Sequence, residues 1–559
     1  MLDAKSLPIE AYLADRVNDA IGRAGFALPP GARVEIEIPR EQGRGDWATA
    51  AALVLAKSTK RPPREVATAL VAAFESDPAI LDRIEIAGPG FLNFHLSGAW
   101  LRGMIRSIVA APDTFGATNA GRGERVLVEY VSANPTGPLN VVSARAASVG
   151  DALVRLLRAA GYAADGEFYV NDWGNQAELF GASVRTRFAE ARGLTAPPIP
   201  EEGYAGAYVN DVAGSLGPEQ GTAWLALEER EQRLHFGAWA IERMVGLQRH
   251  ALERFGVRMD RWFSESELHR TGALDKALVR LEAAGHVEER EGARWFRSTA
   301  FGDQEDRVLV RSNGISTYSL ADAAYHDNKF QRGYGRLIDI LGPDHHGHVV
   351  RLKGLVAALG HDPSCLEVIL LQWVKLLRGG EVVKMSKRAG DFISMEELVD
   401  EVGVDAARFF FLMRRSESPV DFDMELAAKR SEENPVYYVQ YAHARIAHVL
   451  DYAKGQGAPE PNPETADLSL LSEPETEALM RSLAGFPSLV AAAARTHEPH
   501  RITGYLKELA ATFHAFYHHH RVVTPDAPLT EARLLLTKAT GAVIRRALGL
   551  LGVSAPEAM

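Results

Sequence analysis

Two stretches of this chain repeat one pattern, and that repetition constrains the fold more than any single residue does. The first begins with an apolar run at 126–131 and passes through a Pro- and Gly-bearing loop to Pro138. It continues as a helix-period stretch carrying Val149, Leu153, Leu156 and Leu157, stops at Gly161, and ends in a second run at 167–170. The second has a run at 337–341, the polar turn Gly342-Pro343-Asp344-His345-His346-Gly347-His348, a helix to 359 and a run at 366–371. Short apolar runs bounded by turn residues read as buried strands, and the period between them reads as a helix. Each stretch is therefore a βαβ unit, half of a nucleotide-binding fold, and ligands of such folds sit beyond the carboxyl ends of the strands. Roughly 150 residues of helical period separate the halves, too many for a loop, so they form an inserted subdomain.

The flanks read differently. Residues 1–110 alternate helix-like stretches (9–25, 47–57, 63–74) with strand-like ones (34–38, 84–86) and close on Gly88-Pro89-Gly90-Phe91-Leu92-Asn93-Phe94, a small α/β domain. Residues 112–125, rich in Gly, Thr and Asn, read as a linker. From Asn434 the pattern is almost wholly helical, interrupted at 455–463. The expected fold class is multidomain α/β plus all-α: a small N-terminal α/β domain (1–110), a Rossmann-type domain (120–430) with a helical insertion around 180–300, and a C-terminal helical bundle (431–559). The length of 559 residues with 46% hydrophobic content supports about three or four domains.

No run of about eighteen apolar residues occurs, and Asp3, Lys5, Glu10, Asp15 and Arg16 interrupt the first twenty positions. The expectation is a cytoplasmic protein with no membrane partner. A lone Cys365 rules out an internal disulfide and a cysteine-based zinc site, and is expected to be an inert packed residue. The net charge of −11 argues against a nonspecific nucleic-acid coat but leaves open a structured RNA read through local patches and shape.

Two segments carry chemistry. Lys384-Met385-Ser386-Lys387-Arg388-Ala389-Gly390 sets three cations just before Ser394-Met395-Glu396-Glu397, a capping-box helix start. Such a loop can clamp a triphosphate and stabilise charge on departing pyrophosphate; the plainer reading is a solvated basic turn. The segment from Glu129 to Ser143 follows the first strand and leads into a helix whose N-terminus favours phosphate. Asn140 and Ser143 are also common helix-capping types, so capping alone stands beside ligand contact. His345, His346 and His348 read as shaping the second nucleotide half rather than binding metal. His514, His518, His519 and His520 read as a solvated or RNA-facing helix face. Tyr437, Tyr438 and Tyr441 can stack unpaired bases, although helical spacing requires some of them to be core.

The stretches Gly88 to Phe94, Val128 to Pro138, Tyr169-Val170-Asn171-Asp172-Trp173-Gly174-Asn175-Gln176, Gly342 to Gly347, Lys384 to Arg388, Glu401 to Arg408 and Asn434 to Arg445 together resemble the bacterial arginyl-tRNA synthetases, class I aminoacyl-tRNA synthetases, over essentially the whole chain. The resemblance implies a class I catalytic domain with an anticodon-binding helical bundle, acting as a monomer on arginine, ATP and tRNA(Arg). Mg²⁺ would accompany ATP, and no zinc is expected. It implies that Lys384, Lys387, Asn140 and Ser143 are catalytic, and that ATP is met by Asn140, Val142, Ser143, Asp344, His345, His346 and Lys384 through Met385 and Ser386 to Lys387. Arginine is met by Ser132, Ala133, Asn134 and Ser143 at its backbone groups, and by Tyr318 and Asp322 at its guanidinium, a planar donor fork that a carboxylate accepts.

The signature region Asn134, Pro135, Thr136, Gly137, Pro138, Leu139, Asn140, Val141, Val142, Ser143 departs from the family pattern. Where the family has two histidines around a glycine, this chain has Asn140-Val141-Val142-Ser143. Neither Asn nor Ser carries the charge of an imidazolium, and Arg145 is the nearby cation expected to compensate in part. Two readings follow: a working arginine–tRNA ligase, and a catalytically impaired tRNA-binding or regulatory protein derived from one. A small-molecule adenylating enzyme is disfavoured because it would not need residues 434–559.

Overall fold

The computed structural model describes residues 9–37, 39, 45–195, 197–383 and 393–559. The N-terminal part packs helices Ala51–Thr59 and Pro63–Ala73 on an antiparallel sheet in which Phe91–Leu96 lies between Trp47–Thr49 and Leu81–Ala87, with Ile9–Arg23 against Pro63–Ala73, while Gly98–Ala110 packs on helices Pro474–Ala484 and Ala527–Leu550. Of the strand expected at 34–38, the described residues 34–37 hold one bridge, Glu37 to Ala48. The helix expected from 47 instead begins at Ala51, because Thr49 ends a strand there. Its hydroxyl donates to the Glu35 carbonyl at 2.7 Å and accepts from the Ala51 amide at 3.3 Å. Burial of Trp47 and Ala48 favours the pleat over the helix that their hydrophobic period suggested.

The central domain is a five-stranded sheet, wholly parallel, in the order Leu366–Leu370, Arg336–Leu341, Arg125–Glu129, Ala163–Val170, Arg261–Ser264. Chain direction across the sheet reverses beside Arg125–Glu129, which leaves a crevice between its carboxyl end and that of Arg336–Leu341. Helix Val141–Ala159 packs on the sheet so closely that a Cβ at Gly150 would overlap the buried Tyr130 ring. The insertion is less helical than expected. Four helices, Asn175–Glu190 to Glu229–Arg254, come first, but Arg261–Ser264 then returns to the main sheet as its edge strand. Residues 287–310 hold a three-stranded antiparallel sheet. Alternating strands such as Ala293–Phe296 are too short, and too much interrupted by charge, to outweigh the helical period around them.

From Asn434, which caps helix Pro435–Gly455, the chain is a helical bundle ending in Ala527–Leu550. It is joined to the central domain by Arg408, fully buried, whose guanidinium bonds Asp151 and donates to the Leu551 and Phe255 carbonyls. Cys365 is half-buried in a short turn before strand Leu366–Leu370. Among the described residues no helix is long and apolar enough to cross a membrane.

Candidate functional site

The segment after Arg125–Glu129 opens on a strained turn. Val131 has φ +70° and Ser132 φ +39°, and the Ser132 amide donates to the Tyr130 carbonyl at 3.0 Å, closing a γ-turn. A β-branched residue there is costly and persists only where its surroundings fix it. They do so through the Ser132 hydroxyl, which donates to Glu129 Oε1 at 2.9 Å and accepts from the Tyr169 amide at 3.1 Å. Ala133 is half-buried and packs on the core; Asn134 is exposed, and its amide donates to Gln176 Oε1 at 2.9 Å. Gln248, buried in the inserted helix Glu229–Arg254, donates to the carbonyls of Asn134 and Gly137 at 3.1 and 2.8 Å. The Tyr208 hydroxyl likewise donates to the Thr136 carbonyl at 2.8 Å. The insertion thus supports the signature loop from outside, while Pro135, Thr136, Leu139 and Val141 are buried and Pro138 is half-buried.

Asn140 is the cap of helix Val141–Ala159: its Oδ1 accepts from the Val142 and Ser143 amides at 3.0 and 3.1 Å and, more weakly, from the Ser143 hydroxyl at 3.4 Å. Capping and ligand contact are therefore not exclusive. With Oδ1 turned to the helix, the amide group left over is Nδ2, a donor suited to a phosphate oxygen. Val142 is half-buried against the core. Arg145 does not take up the missing cationic role. It is fully buried, and its guanidinium donates to the carbonyls of Gln372 (2.6 Å), Arg415 (3.0 Å) and Ser418 (2.7 Å). Helix geometry explains this, because Arg145 is five residues on from Asn140 and so lies on the face turned to the core. Loop and helix are also tied to the next element: the Met395 amide donates to the Leu139 carbonyl at 2.8 Å and Asn140 bridges Ser394, the residue that caps helix Met395–Val402 through a capping box. The loop that carries the three cations, Lys384, Met385, Ser386, Lys387, Arg388, Ala389 and Gly390, lies outside the described residues.

Across the crevice, Tyr318 is 68% exposed at the first turn of helix Tyr318–Gln331, not a core aromatic, and Asp322 lies one turn further on, too deep in the helix to cap it. His348 Nε2 is 3.4 Å from the Asp322 carboxylate, which brings the 342–348 turn to the same place. Asp344, His345 and His346 are exposed; Asp344 lies 4.0 Å from His345, and the His345 ring meets that of His348 edge-on at 5.9 Å. Between Ser132 and Asp322 lies Tyr169, whose ring packs on Tyr325 at 4.5 Å and whose hydroxyl faces Glu265. Burial, reinforced by the Asp322 and Asp172 carboxylates, pushes the Glu265 carboxyl up to about 7 against the lowering by the Tyr169 hydroxyl. Asp172 is itself held by the Ser266 amide at 2.9 Å. This end of the crevice sets its carboxylates beside two imidazoles, His348 at Asp322 and His269 with Nε2 3.9 Å from Glu265, both held below their ordinary value by burial.

Beneath it runs a buried ionic chain. Lys329, 0% exposed, donates to Glu129 Oε2 at 2.6 Å and to Asp339 Oδ1 at 2.8 Å. Asp339 Oδ2 meets His326 Nε2 at 2.8 Å, and His326 Nδ1 meets the Asp322 carbonyl at 2.8 Å. Both ring nitrogens of His326 thus face acceptors. Burial pushes the Glu129 carboxyl up, yet both its oxygens accept, the arrangement of the ionised form; Asp339, although buried, is held low by Lys329 and His326. Ser132 and Asp322 are thereby connected through side chains of one strand pair and one helix.

Three family models cover the chain: the arginyl tRNA synthetase N-terminal domain at 11–96, the class I (R) tRNA synthetase catalytic domain at 105–417 and the DALR anticodon binding domain at 439–559. The arginine–tRNA ligase of Desulforamulus reducens is 47% identical over 526 residues, covering 94% of each chain, and that of Moorella thermoacetica is 47% identical over 524 residues, 94% of this chain and 93% of that one. This chain belongs to the arginyl-tRNA synthetase family. The Thermus thermophilus arginyl-tRNA synthetase structure, 22% identical, shares the fold with a TM-score of 0.77 over 99% of this chain and 100% of that one. As a member of that family the chain has a class I catalytic domain on a parallel sheet, between the N-terminal and helical DALR domains.

Sequence reasoning missed Glu265 and the chain through Lys329, gave Tyr169 no role of its own, and assigned His348 to the second nucleotide half rather than to Asp322. Asp172 and Tyr169 lay inside a matching stretch, but nothing in Phe263-Ser264-Glu265-Ser266 distinguishes a buried carboxylate from a solvated one. In helix Pro435–Gly455, Tyr437, Tyr438 and Tyr441 are all half-buried, none of them core. A cleft of about 480 Å³ is lined by Glu432, Tyr438, Arg445, His514, Tyr517 and His518. Arg445 lies over the Tyr441 and Tyr517 rings at 4.5 and 5.4 Å and donates to His514 Nδ1 at 3.1 Å. Burial, with Arg445 beside it, holds His514 below its ordinary value, so the ring stays a neutral acceptor. Among the described residues no group of three or more His, Cys, Asp or Glu side chains is set to hold a metal ion.

Proposed function

We propose that this arginyl-tRNA synthetase family member is a working arginine–tRNA ligase, that is, an aminoacyl-tRNA ligase of protein biosynthesis. The arginine carboxylate attacks the α-phosphorus of ATP, giving arginyl-adenylate and pyrophosphate, and the activated carbonyl then passes to the terminal ribose of tRNA(Arg). The observation that carries this reading is the cation-poor group Glu265, Asp322 and Asp172 at one end of the crevice, with a fixed hydroxyl, Ser132, at the other. Carboxylates forced together without a cation match a guanidinium, which supplies the missing charge and a fork of donors. Ser132, Ala133, Asn134 and Ser143 take the backbone end of arginine, and Tyr318 with Asp322 and Glu265 takes the guanidinium. ATP enters as its Mg²⁺ complex over the helix N-terminus, met by Asn140 Nδ2, Val142 and Ser143, by the 344–346 turn, and by Lys384 and Lys387 with Met385 and Ser386 between them. The helix dipole favours its negative charge. The cleft around Arg445 takes a tRNA base between aromatic faces. The ligase acts as a cytoplasmic monomer.

Residues Asn140 to Ser143 were the one feature favouring a non-catalytic descendant, and they build an intact, capped helix N-terminus. The test is aminoacylation of tRNA(Arg) with arginine and ATP, beside ATP–pyrophosphate exchange with and without tRNA. Arginyl-tRNA is the expected product; retained tRNA binding with none formed at high enzyme and ATP defeats the proposal.

A further inference from the structure

The Ser132 hydroxyl has one proton and two lone pairs to offer. The proton goes to Glu129 Oε1 at 2.9 Å and one lone pair receives the Tyr169 amide at 3.1 Å. What remains for a ligand is one lone pair, so a group placed there must donate. The α-ammonium of an amino acid fits and its carboxylate does not. We infer that Glu129 and Lys329 are positioning residues for the substrate's α-ammonium: Lys329 keeps Glu129 ionised and in place, and Glu129 takes the Ser132 proton, leaving Ser132 a pure acceptor. This rests on the arginine–tRNA ligase reading and deepens it by assigning the device that tells arginine from the same guanidinium chain without an amino group.

A purely structural role for the ion pair explains less. Well-packed apolar residues commonly stabilise a core as well as a buried ion pair does, and they would not require Val131 and Ser132 to adopt left-handed backbone. The γ-turn swings Ser132 back over its own strand, so that its hydroxyl reaches Glu129 three residues earlier. Lys329 comes from a different element, helix Tyr318–Gln331, and bonds both Glu129 and Asp339. A strained turn, a buried carboxylate and a buried ammonium thus converge on one hydroxyl.

The test uses the full-length protein with Glu129→Gln, which keeps the shape, removes the charge and leaves one acceptor oxygen for the two donors Ser132 and Lys329. Aminoacylation of tRNA(Arg) gives KM and kcat for arginine. Competition against it gives inhibition constants for agmatine, which keeps the amine and lacks the carboxylate, and for δ-guanidinovalerate, which keeps the carboxylate and lacks the amine. Glu129→Gln is expected to weaken arginine and agmatine about tenfold, since an ammonium loses charge-assisted binding, and to change δ-guanidinovalerate by less than about twofold with kcat nearly kept. Should Glu129→Gln fail to fold, Glu129→Gln with Lys329→Met removes one charge of each sign and is read by the same three ligands. Equal weakening of all three, or of none, overturns the inference while leaving the ligase reading standing. Wild-type protein that makes no arginyl-tRNA and binds none of the three overturns both.

Discussion

Arginine recognition should depend on pH through one carboxyl. Glu265 lies buried beside Tyr169 with Asp322 and Asp172 for neighbours, and its half-ionisation in the empty pocket is at about 7. A guanidinium stays charged throughout the neutral range and binds the ionised carboxyl. Between about pH 8 and about pH 6 the ionised fraction of a group titrating at about 7 falls roughly tenfold, so kcat/KM for arginine should fall roughly tenfold over that interval. Glu265→Gln removes both the charge and the titration. It should lower kcat/KM by about 10- to 100-fold at the alkaline end, the worth of a charged hydrogen bond, and flatten the variant's own profile, so that the ratio of variant to wild type rises roughly tenfold from pH 8 to pH 6. The folding linkage has the opposite sign to that of an ion-paired carboxylate. Because the folded value lies above the ordinary 4.5, the folded protein binds more protons between the two values, so stability is gained as pH falls through about 7 and the gain is complete below about 4.5. The shift corresponds to about 3 kcal/mol at about 1.4 kcal/mol per unit, and bound arginine should abolish it. The assay is initial-rate aminoacylation at saturating ATP and tRNA(Arg), wild type beside Glu265→Gln. A wild-type arginine profile that is flat from pH 8 to 6, or an identical slope in the variant, refutes the reasoning.

Asn140→Asp keeps the helix cap but sets a negative charge in place of the Nδ2 donor. Thermal stability should stay within about 0.5 kcal/mol while the KM for ATP rises about tenfold, and an unchanged KM would remove Asn140 from the phosphate site. Arg145→Met leaves the Gln372, Arg415 and Ser418 carbonyls without their donor, which should cost about 3 kcal/mol or more, read as a lowered urea midpoint. Arg445→Ala should raise the KM for tRNA(Arg) about tenfold and leave the KM for arginine unchanged, whereas a matching rise for arginine would mean that the cleft acts through the fold rather than on tRNA.

The repeated βαβ pattern, the helical C-terminus and the family were legible in the sequence, because period and turn chemistry are local and the matching stretches are long. Local signals also placed Asn140 correctly as a helix cap, since capping is decided within three residues. They failed at 34–49, where the pairing of Trp47–Thr49 with Phe91–Leu96 overrode the helical period, and in the insertion, where Arg261–Ser264 joins a sheet whose other strands are distant in sequence. Arg145 is the plainest case. Its position near the signature suggested a cation for phosphate, and only the packing of helix Val141–Ala159 against 372–373 and 415–418 shows that its guanidinium is spent on carbonyls. The same holds for Glu265 and Lys329, whose burial and neighbours come from chain segments about 100 to 200 residues away from the Ser132 turn. The sequence by itself determined which elements form and what family they build. Tertiary structure alone decided which charges lost their water and which partner each then faced, because desolvation and a few ångströms of separation set what a charged group can do.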